Sequence, residues 1–365
     1  MAMTDGDRYQ LYIGSYNQDD GDGIHVYSLD AKTGALTPQS SIGGVKNPSF
    51  LAVHPSGRFL YAVSEVAKSN GEAGGGVSAF QVDGDSGALS PLNETSSMGQ
   101  GPCHLSVEQT GRYVLVANYS SGSVAMVPLG DDGRLEEASD FVQHEGSSVD
   151  PRRQQGPHAH SITVGPGNRC AYAADLGLDQ VLVYRMDLEQ GKLVPNDPPS
   201  AAVTPGQGPR HFAFHPNQKF GYVINEMGNT VTAYAYDGAG DTLTEVQMIS
   251  TLPDGYAETS YCADIHISAS GRFLYGSNRG HDSIAVFGID GGTGLLDPLG
   301  YTSTGGKNPR NFAIDPSGRF LLAANQDTDN IVVLRIDAES GKLTETGVEV
   351  QVPKPVCIKF VQMPA

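Results

Sequence analysis

A short sequence phrase that recurs along the whole chain is the feature that most constrains the fold. The phrase is a tight turn, a basic residue and an apolar strand, as in HPSGRFLYAV at 54–63. Its six copies begin at positions 54, 108, 165, 215, 268 and 315. Repetition at a spacing of roughly 50 residues is typical of proteins that arrange one structural unit many times.

Two further phrases repeat in step with the first, and we name the predicted strands of each unit A, B, C and D. Strand B is the apolar run just described. Strand A precedes it, in seven copies at 47–53, 101–107, 160–164, 208–214, 262–267, 308–314 and 354–360. Strand C is followed by a turn and by a leucine at which strand D begins. This phrase, from the start of strand C to the leucine, occurs in seven copies at 24–36, 77–89, 124–135, 181–193, 231–243, 284–296 and 331–343. A unit of about 46–55 residues with four strands is the size of a propeller blade.

The repeats predict an all-β, seven-bladed β-propeller with four-stranded blades, built as a single domain from residues 1–365. There are seven A, B and C strands but only six A–B turns. This mismatch is explained if the C-terminal PVCIKFV supplies strand A of a blade whose other strands lie at the N-terminus, which closes the ring. Alternating strands also occur in β-sandwiches, but seven matched repeats favour the propeller. The absence of tryptophan argues against a WD40 array.

Composition narrows the range of partners. A formal charge of −18 argues against nucleic acid and against an anionic membrane, since both require a basic surface. An anionic substrate would therefore need a local basic patch. Four scattered cysteines fit neither a disulfide framework nor a zinc cluster. Without an apolar leader or a run of about 18 apolar residues, the sequence predicts a soluble cytoplasmic protein.

Antiparallel strands return to the face they left, so the starts of the A strands and the ends of the B strands meet around the central channel. We call this the upper face. The A starts supply His104, His160 with Ser161, Arg210 with His211, Asp264, and Arg310 with Asn311. The B ends supply Tyr16, Glu65, Asn118 with Tyr119, Asp175, Asn225 with Glu226, Asn278 with Arg279, and Asn325 with Gln326. The lower face receives repetitive turns, so function is expected on the varied upper face.

Part of this polar ring has a structural explanation. Short polar residues recur at the B ends and are predicted to cap turns, namely Asn118, Asp175, Asn225, Asn278 and Asn325. Arg210, Glu226 and Arg279 do not follow this pattern of short polar residues. A turn-capping role therefore explains their presence poorly. A structural Arg–Glu salt bridge is the alternative to a functional role. His54 and His215 lie in A–B turns on the lower face and are predicted to be structural.

The loop at 140–161, DFVQHEGSSVDPRRQQGPHAHS, is longer than its equivalents and leads to the same upper face. It carries Arg152, Arg153, His158 and His160. An H-x-H pair can ligate a metal, but no further ligands accompany it at a recognised spacing, so no metal or cofactor is expected. No G-x-S-x-G, P-loop or G-x-G-x-x-G context is present, which argues against serine hydrolases and nucleotide-binding proteins.

The sequence resembles the seven-bladed lactonase family, which includes propeller-type 6-phosphogluconolactonases and fungal 3-carboxy-cis,cis-muconate cyclases. The resemblance covers essentially the whole chain and is carried by DPRRQQGPHAHS, GQGPRHFAFHP, YVINEMGN, LYGSNRGHDSIAVF and NPRNFAIDPSGRFLLAAN. In that family a histidine of GPHxH, the arginine of GPRH, the glutamate of Y-V-x-N-E and a further arginine line the channel mouth. The resemblance thus implies catalytic roles for His158 or His160, for Arg210, for Glu226, and for Arg279 or Arg310. Substrate contacts are further expected from Arg152, Arg153, His104, His211, Asp264, Arg310 and Asn311.

The implied reaction is the opening of a small anionic lactone, and the residues suit it. Histidine suits the general base, and arginine suits the developing oxyanion and an anionic substituent. Glu226 would orient an arginine or, if its pKa is raised, donate a proton. The preferred substrate is 6-phospho-D-glucono-1,5-lactone, with its phosphate near Arg152, Arg153 and Arg210. The alternatives are a cyclase or a lactonase for another acid, and a non-catalytic propeller that binds a ligand or a protein.

Overall fold

Seven antiparallel sheets of four strands each form a ring in the computed structural model, which describes residues 8–17, 21–69 and 72–362. In every sheet the order is A, B, C, D, and strand A of each blade contacts strand A of the next around the whole ring. The predicted seven-bladed propeller is therefore confirmed. The predicted domain, residues 1–365, extends beyond the described residues at both ends.

We number the blades from the N-terminus. Strands are given in the order A to D. Blade 1 contains Pro355–Gln362, Arg8–Ser15, Ile24–Asp30 and Leu36–Ile42, and blade 2 contains Leu51–Val53, Phe59–Ser64, Gly76–Val82 and Leu89–Ser96. Blade 3 contains Pro102–Val107, Tyr113–Asn118, Ser123–Pro128 and Asp140–Gln143, and blade 4 contains Ala159–Val164, Cys170–Asp175, Gln180–Asp187 and Lys192–Ala202. The strands of blades 5 to 7 are Pro209–Phe214, Phe220–Asn225, Thr230–Asp237 and Thr242–Ser250; Tyr261–Ile267, Phe273–Arg279, Ser283–Ile289 and Leu296–Ser303; and Pro309–Ile314, Phe320–Asn325, Asn330–Ile336 and Leu343–Gln351. A 3₁₀ turn, Pro166–Asn168, and a small hairpin, Lys68–Ser69 with Glu72–Ala73, complete the elements.

The hydrophobic core lies between neighbouring blades. In blade 5, strand B is buried on both faces and strand A over its first four residues, whereas the outer D strands alternate between exposed and half-buried residues. One cluster, for example, packs Phe273 and Tyr275 of blade 6 against Phe312 and Leu321 of blade 7. Each blade therefore depends on its neighbours for burial of its apolar faces, as expected for a repeat architecture.

The recurring turn glycine after strand C has a packing role. Gly294 of blade 6 has a φ of +76°, and a Cβ there would lie 2.4 Å from the ring of Phe220 in blade 5. In the same turn, the Gly294 carbonyl accepts a hydrogen bond of 2.9 Å from the Tyr222 hydroxyl. The aromatic residues of one repeat thus fit against the turn of the next, which links two of the repeated phrases physically.

The ring is closed by the C-terminal strand, as the sequence predicted. Strand A of blade 1 pairs antiparallel with the N-terminal strand, with Leu11 opposite Phe360 and Ile13 opposite Ile358. It is also tied to both flanking blades, because the Leu51 amide approaches Cys357 Sγ at 3.3 Å and the Ile358 amide donates to Asn311 Oδ1 at 2.8 Å. The first and last described strands therefore belong to one sheet.

Among the described residues, no helix has the length and apolar character needed to cross a bilayer.

Candidate active site

Breaks in strand register place the key side chains at the upper mouth of the channel. In blades 3, 4, 5 and 7 the A–B pairing skips one residue near the start of strand A. The skipped residues are Cys103, His160, Arg210 and Arg310. A β-bulge re-aims the side chain of its extra residue. The same local irregularity thus recurs around the ring at each of these four positions.

The Glu226 carboxylate is the centre of the site. Arg153 Nη2 lies 2.7 Å from Oε1. Arg210 Nε and Arg279 Nη2 lie 3.2 Å and 2.9 Å from Oε2. His160 Nε2 lies 3.6 Å from the same oxygen. Three guanidinium groups from three different segments therefore converge on one buried carboxylate.

The charges around Glu226 determine its protonation state. Burial alone would raise its pKa, but Arg279 and Arg210 lower it by more, so the pKa lies well below the ordinary value for glutamate. The carboxylate stays ionised at neutral pH, and its stabilising ion pairs are lost only in acid, as the pH falls through this lowered pKa. The condition for Glu226 as a proton donor, a raised pKa, is not met. Its geometry instead suits the orientation of arginines.

A layer of buried residues beneath the mouth supports Arg210. Its Nη1 donates to His211 Nε2 at 3.2 Å, and His211 Nδ1 donates to Asp264 Oδ1 at 2.7 Å. Burial and the Arg210 charge lower the pKa of His211 to about 4, so the ring is neutral and this tautomer is fixed. Asp264 also accepts from Asn311, and the His104 ring packs 5.3 Å from that of His211.

His104, His211, Asp264 and Asn311 thus form a buried layer beneath the mouth, and direct contact between these four residues and a substrate stays a prediction. His104, His211, Asp264 and Asn311 are at most 9% exposed. Their hydrogen bonds join them to one another, to the backbone, to Arg210 and, for Asp264, to His266 Nε2 at 3.0 Å. The sequence placed them correctly at strand starts, but the depth of each side chain depends on the bulges, which the sequence pattern did not reveal.

The long loop before blade 4 is anchored at two buried carboxylates. His144 Nδ1 lies 2.6 Å from Asp175 Oδ2, and Gln154 Nε2 donates to Asp179 Oδ2 at 2.7 Å. These anchors hold Arg153 against Glu226, where its Nη2 also donates to the Tyr119 hydroxyl at 3.0 Å. The neighbouring Arg152 is exposed, and its guanidinium forms no hydrogen bond or ion pair with the residues that the structure describes.

The two histidines of H-x-H have different environments. His160 is 4% exposed, and burial together with Arg210 lowers its pKa well below the usual value. His158 is half-buried and stacks on Tyr119 with the ring centroids 4.7 Å apart. Its Nδ1 lies 2.9 Å from the Tyr119 carbonyl, so Nδ1 donates, and in the neutral ring the lone pair is on Nε2. His158 thus has the geometry of a base, whereas His160 is enclosed beside Glu226.

Arg310 belongs to a second polar group at the mouth. Its guanidinium carbon lies 5.5 Å from the centroid of the Tyr16 ring, and the Tyr16 hydroxyl donates to Glu65 Oε2 at 2.8 Å. Among the described ion pairs, Arg310 has no carboxylate partner within 4.0 Å, in contrast to Arg279. Of the two arginines that match the family pattern, Arg279 is therefore the one bound to Glu226.

The predicted structural residues have the contacts expected of them. Asn118 and Asn325 donate to the carbonyls of Ser97 and Thr304, each in the preceding inter-blade segment. The other B-end residues are also buried and hydrogen-bonded, namely Asp175, Asn225 and Asn278. On the lower face, His54 Nε2 and His215 Nε2 each lie within 2.9 Å of a turn carbonyl in the next blade.

The described part of the chain contains no group of three or more His, Cys, Asp or Glu side chains placed to hold a metal ion. The cysteine nearest the site, Cys103, is buried with its Sγ 3.6 Å from His160 Nδ1. Burial raises the pKa of the Cys103 thiol, so it is neutral and unsuited to act as a nucleophile. All four cysteines are unpaired and buried.

Comparison with known proteins gives a consistent family assignment. The family model "Lactonase, 7-bladed beta-propeller" matches residues 10–360. A 6-phosphogluconolactonase of Bacillus subtilis is 38% identical over 353 residues, which cover 97% of this chain and 98% of that protein. A 6-phosphogluconolactonase of Formosa agariphila is 37% identical over 84% of this chain and 86% of its own length.

A solved structure supports the same assignment. The periplasmic gluconolactonase of Pseudomonas aeruginosa superposes with a TM-score of 0.92 at 35% sequence identity. The match covers 98% of this chain and all of that one. The similarity therefore extends over nearly the whole chain.

Proposed function

The chain belongs to the family of seven-bladed β-propeller lactonases, and from this premise we propose that it hydrolyses 6-phospho-D-glucono-1,5-lactone to 6-phospho-D-gluconate, a step of the pentose phosphate pathway. The observation that carries the proposal is the convergence of Arg153, Arg210 and Arg279 on Glu226. In a chain of net charge −18, this cluster supplies the local positive charge that an anionic lactone needs.

The cluster suits stabilisation of the oxyanion. Arg153 and Arg279 have partly exposed side chains, whereas Arg210 is 2% exposed and its contacts point inward. We therefore assign contact with the lactone carbonyl oxygen to Arg153 and Arg279, which Glu226 holds in place. Preorganised cationic donors at a developing oxyanion lower the barrier because they need no reorganisation during the reaction. We assign no phosphate contact to Arg210, because that side chain is enclosed.

The proton transfers are assigned to His158. Its Nε2 lone pair takes a proton from water as the water oxygen attacks the carbonyl carbon. The bond from that carbon to the ring oxygen then breaks, and the ring oxygen takes the proton back from His158 Nε2 to become a hydroxyl. The product acid loses a proton and leaves as a carboxylate. His160 is enclosed next to Glu226 and is assigned no part in these proton transfers.

The reaction is tested by following acid release from freshly made 6-phosphogluconolactone and from unphosphorylated glucono-1,5-lactone, with uncatalysed hydrolysis subtracted. Catalysis of the phosphorylated lactone with the higher kcat/KM supports the proposal. No acceleration of either lactone would reject it.

His158→Gln is expected to lower kcat about 10²-fold or more, because a positioned general base contributes roughly that factor. The melting temperature should stay near the wild-type value, since the side chain is half-buried. The matched variant is His160→Gln, at the other histidine of the pair. A fully active His158→Gln beside a folded, inactive His160→Gln would transfer the role of base to His160.

Activity is expected to survive extended chelation within a factor of about two, because the proposed chemistry uses only side chains, whereas removal of a catalytic metal abolishes activity. The measurement is kcat before and after dialysis against a chelator. A loss of activity that one divalent ion restores would contradict this expectation.

We propose a cytoplasmic location together with the phosphorylated substrate. The four unpaired cysteines are compatible with a reducing compartment. The Pseudomonas aeruginosa neighbour is named a periplasmic gluconolactonase, without phosphate in its name. Substrate preference and compartment are therefore linked questions, and cell fractionation answers the second.

A further inference from the structure

A polar pocket opens on the upper face between blades 6 and 7, next to the Glu226 cluster. Its volume is about 360 Å³, within the size range of small-molecule sites. Four loops form it, and its lining includes Tyr261, Arg279, Lys307, Asn308 and Asp327. Of these lining residues, only Arg279 has a role in the reaction steps assigned above.

Arg279 connects the pocket to the reaction centre. Its Nη2 is bound to Glu226 Oε2 at 2.9 Å and to the Cys262 carbonyl at 2.8 Å. Its Nε is buried without a hydrogen-bond partner in the described structure. Buried charged donors rarely stay unpaired, so this N–H calls for a ligand or a water. A molecule whose carbonyl meets Arg279 can therefore extend into the pocket.

The carboxylates of the pocket are already hydrogen-bonded. Asp282 Oδ1 accepts from the amides of Gly280 and Asn308, at 3.1 Å and 2.8 Å. Asp327 Oδ2 accepts from Asn308 Nδ2 at 3.0 Å. These bonds fix the two loops and leave Asn308 Oδ1 buried without a partner among the described residues. That oxygen is an acceptor suited to a ligand hydroxyl.

Lys307 supplies the free positive charge. Its side chain is exposed, and its ammonium forms no ion pair or hydrogen bond with the residues that the structure describes. Its backbone amide is held by Thr328 Oγ1 at 3.0 Å, which fixes the loop that carries it. The pocket thus combines a free cation, an unpaired guanidinium N–H and an unpaired acceptor. This combination matches a hydroxylated molecule with an anionic end.

We infer that this pocket is the subsite for the distal end of the lactone, with Lys307 binding its phosphate and Asn308 Oδ1 accepting from a sugar hydroxyl. The inference rests on the proposed function. The sequence predicts the phosphate near the loop that carries Arg152 and Arg153, whereas this pocket would place it on the opposite side of Glu226. Lys307 is then a specificity residue that distinguishes phosphorylated from unphosphorylated lactones.

The test compares Lys307→Met with the wild type on 6-phosphogluconolactone and on glucono-1,5-lactone. A charge-assisted contact of this kind corresponds to roughly tenfold or more in affinity. The variant is therefore expected to raise KM about tenfold or more for the phosphorylated lactone only, with kcat nearly unchanged. Lys307→Arg should restore most of the difference, because it keeps the charge.

Two matched variants separate the outcomes. Lys354→Met removes one charge from a different pocket of the same face, lined also by Tyr16 and Asp329, and should leave both substrates unaffected. Arg152→Met tests the rival position. A selective KM increase in Arg152→Met and none in Lys307→Met would overturn the inference, as would equal changes on both lactones. Those results leave the lactonase proposal intact, whereas a wild type inactive on both lactones rejects the function itself.

Discussion

Truncation of the chain after Pro353 is expected to abolish folding into a soluble monomer. The deletion removes strand A of blade 1, whose side chains Val356, Cys357, Ile358 and Val361 are each at most 6% exposed. Burial of an aliphatic side chain contributes roughly 1.5–3 kcal/mol. The summed loss is similar to the roughly 5–15 kcal/mol that stabilises a typical domain. The measurement is the soluble yield and the thermal melting curve.

The truncation also exposes a strand edge. Residues 9–15 lose the partner strand with which they are paired, and an unpaired edge promotes association between chains. A synthetic peptide of residues 354–365 added during refolding is expected to restore part of the soluble, cooperatively melting protein by strand addition. A truncated chain that stays soluble and melts like the full-length protein would show that ring closure is not needed for stability.

The propeller could be predicted because its evidence is local and repeated. Turn glycines, the aromatic residues of strand B and the alternation of strand C each occur several times, so one ambiguous copy is corrected by the others. Gly294 and Tyr222 show why the phrases repeat, since the tyrosine of one blade bonds the turn of the next. Ring closure followed from a count of turns and did not require knowledge of any side-chain position.

The site could be predicted only in part. Positions at strand starts and ends gave the correct face and brought Arg210, Glu226 and Arg279 together. The pattern could not give the depth of each side chain, because the bulges at His160 and Arg210 depend on tertiary context. Arg153 reaches Glu226 only through loop anchors such as Gln154–Asp179, which join residues distant in sequence.

The excess of positive charge at the mouth also became clear only in the structure. Burial, followed by the charges of Arg310 and Arg279, lowers the pKa of Arg210 to about 10, which still leaves it protonated at neutral pH. Glu226 is therefore the counter-charge for several arginines rather than one member of a simple pair. An isolated surface pair would contribute about 0–1 kcal/mol and would have no effect on turnover.

Glu226→Gln is expected to lower kcat/KM for the phosphorylated lactone by about 10²–10³-fold, because in the proposed mechanism Arg153 and Arg279 lose the carboxylate that aims them at the carbonyl oxygen. The variant keeps the shape of the side chain but leaves the buried Arg210 without its counter-charge. Removal of one member of a buried pair costs roughly 3–5 kcal/mol, so the melting temperature should also fall. Kinetics are measured well below the melting transition, with circular dichroism to verify the fold.

Asp241→Asn is the matched control for this variant, because it separates lost stability from lost chemistry. Asp241 is 8% exposed and lies 2.7 Å from Arg169 Nη2, in a turn on the lower face. This change also neutralises a buried carboxylate paired with arginine, so it should lower the melting temperature but leave kcat/KM near the wild-type value. A folded Glu226→Gln protein with undiminished kcat/KM would mean that the arginine cluster only stabilises the channel, and that lactone opening takes place elsewhere on the propeller.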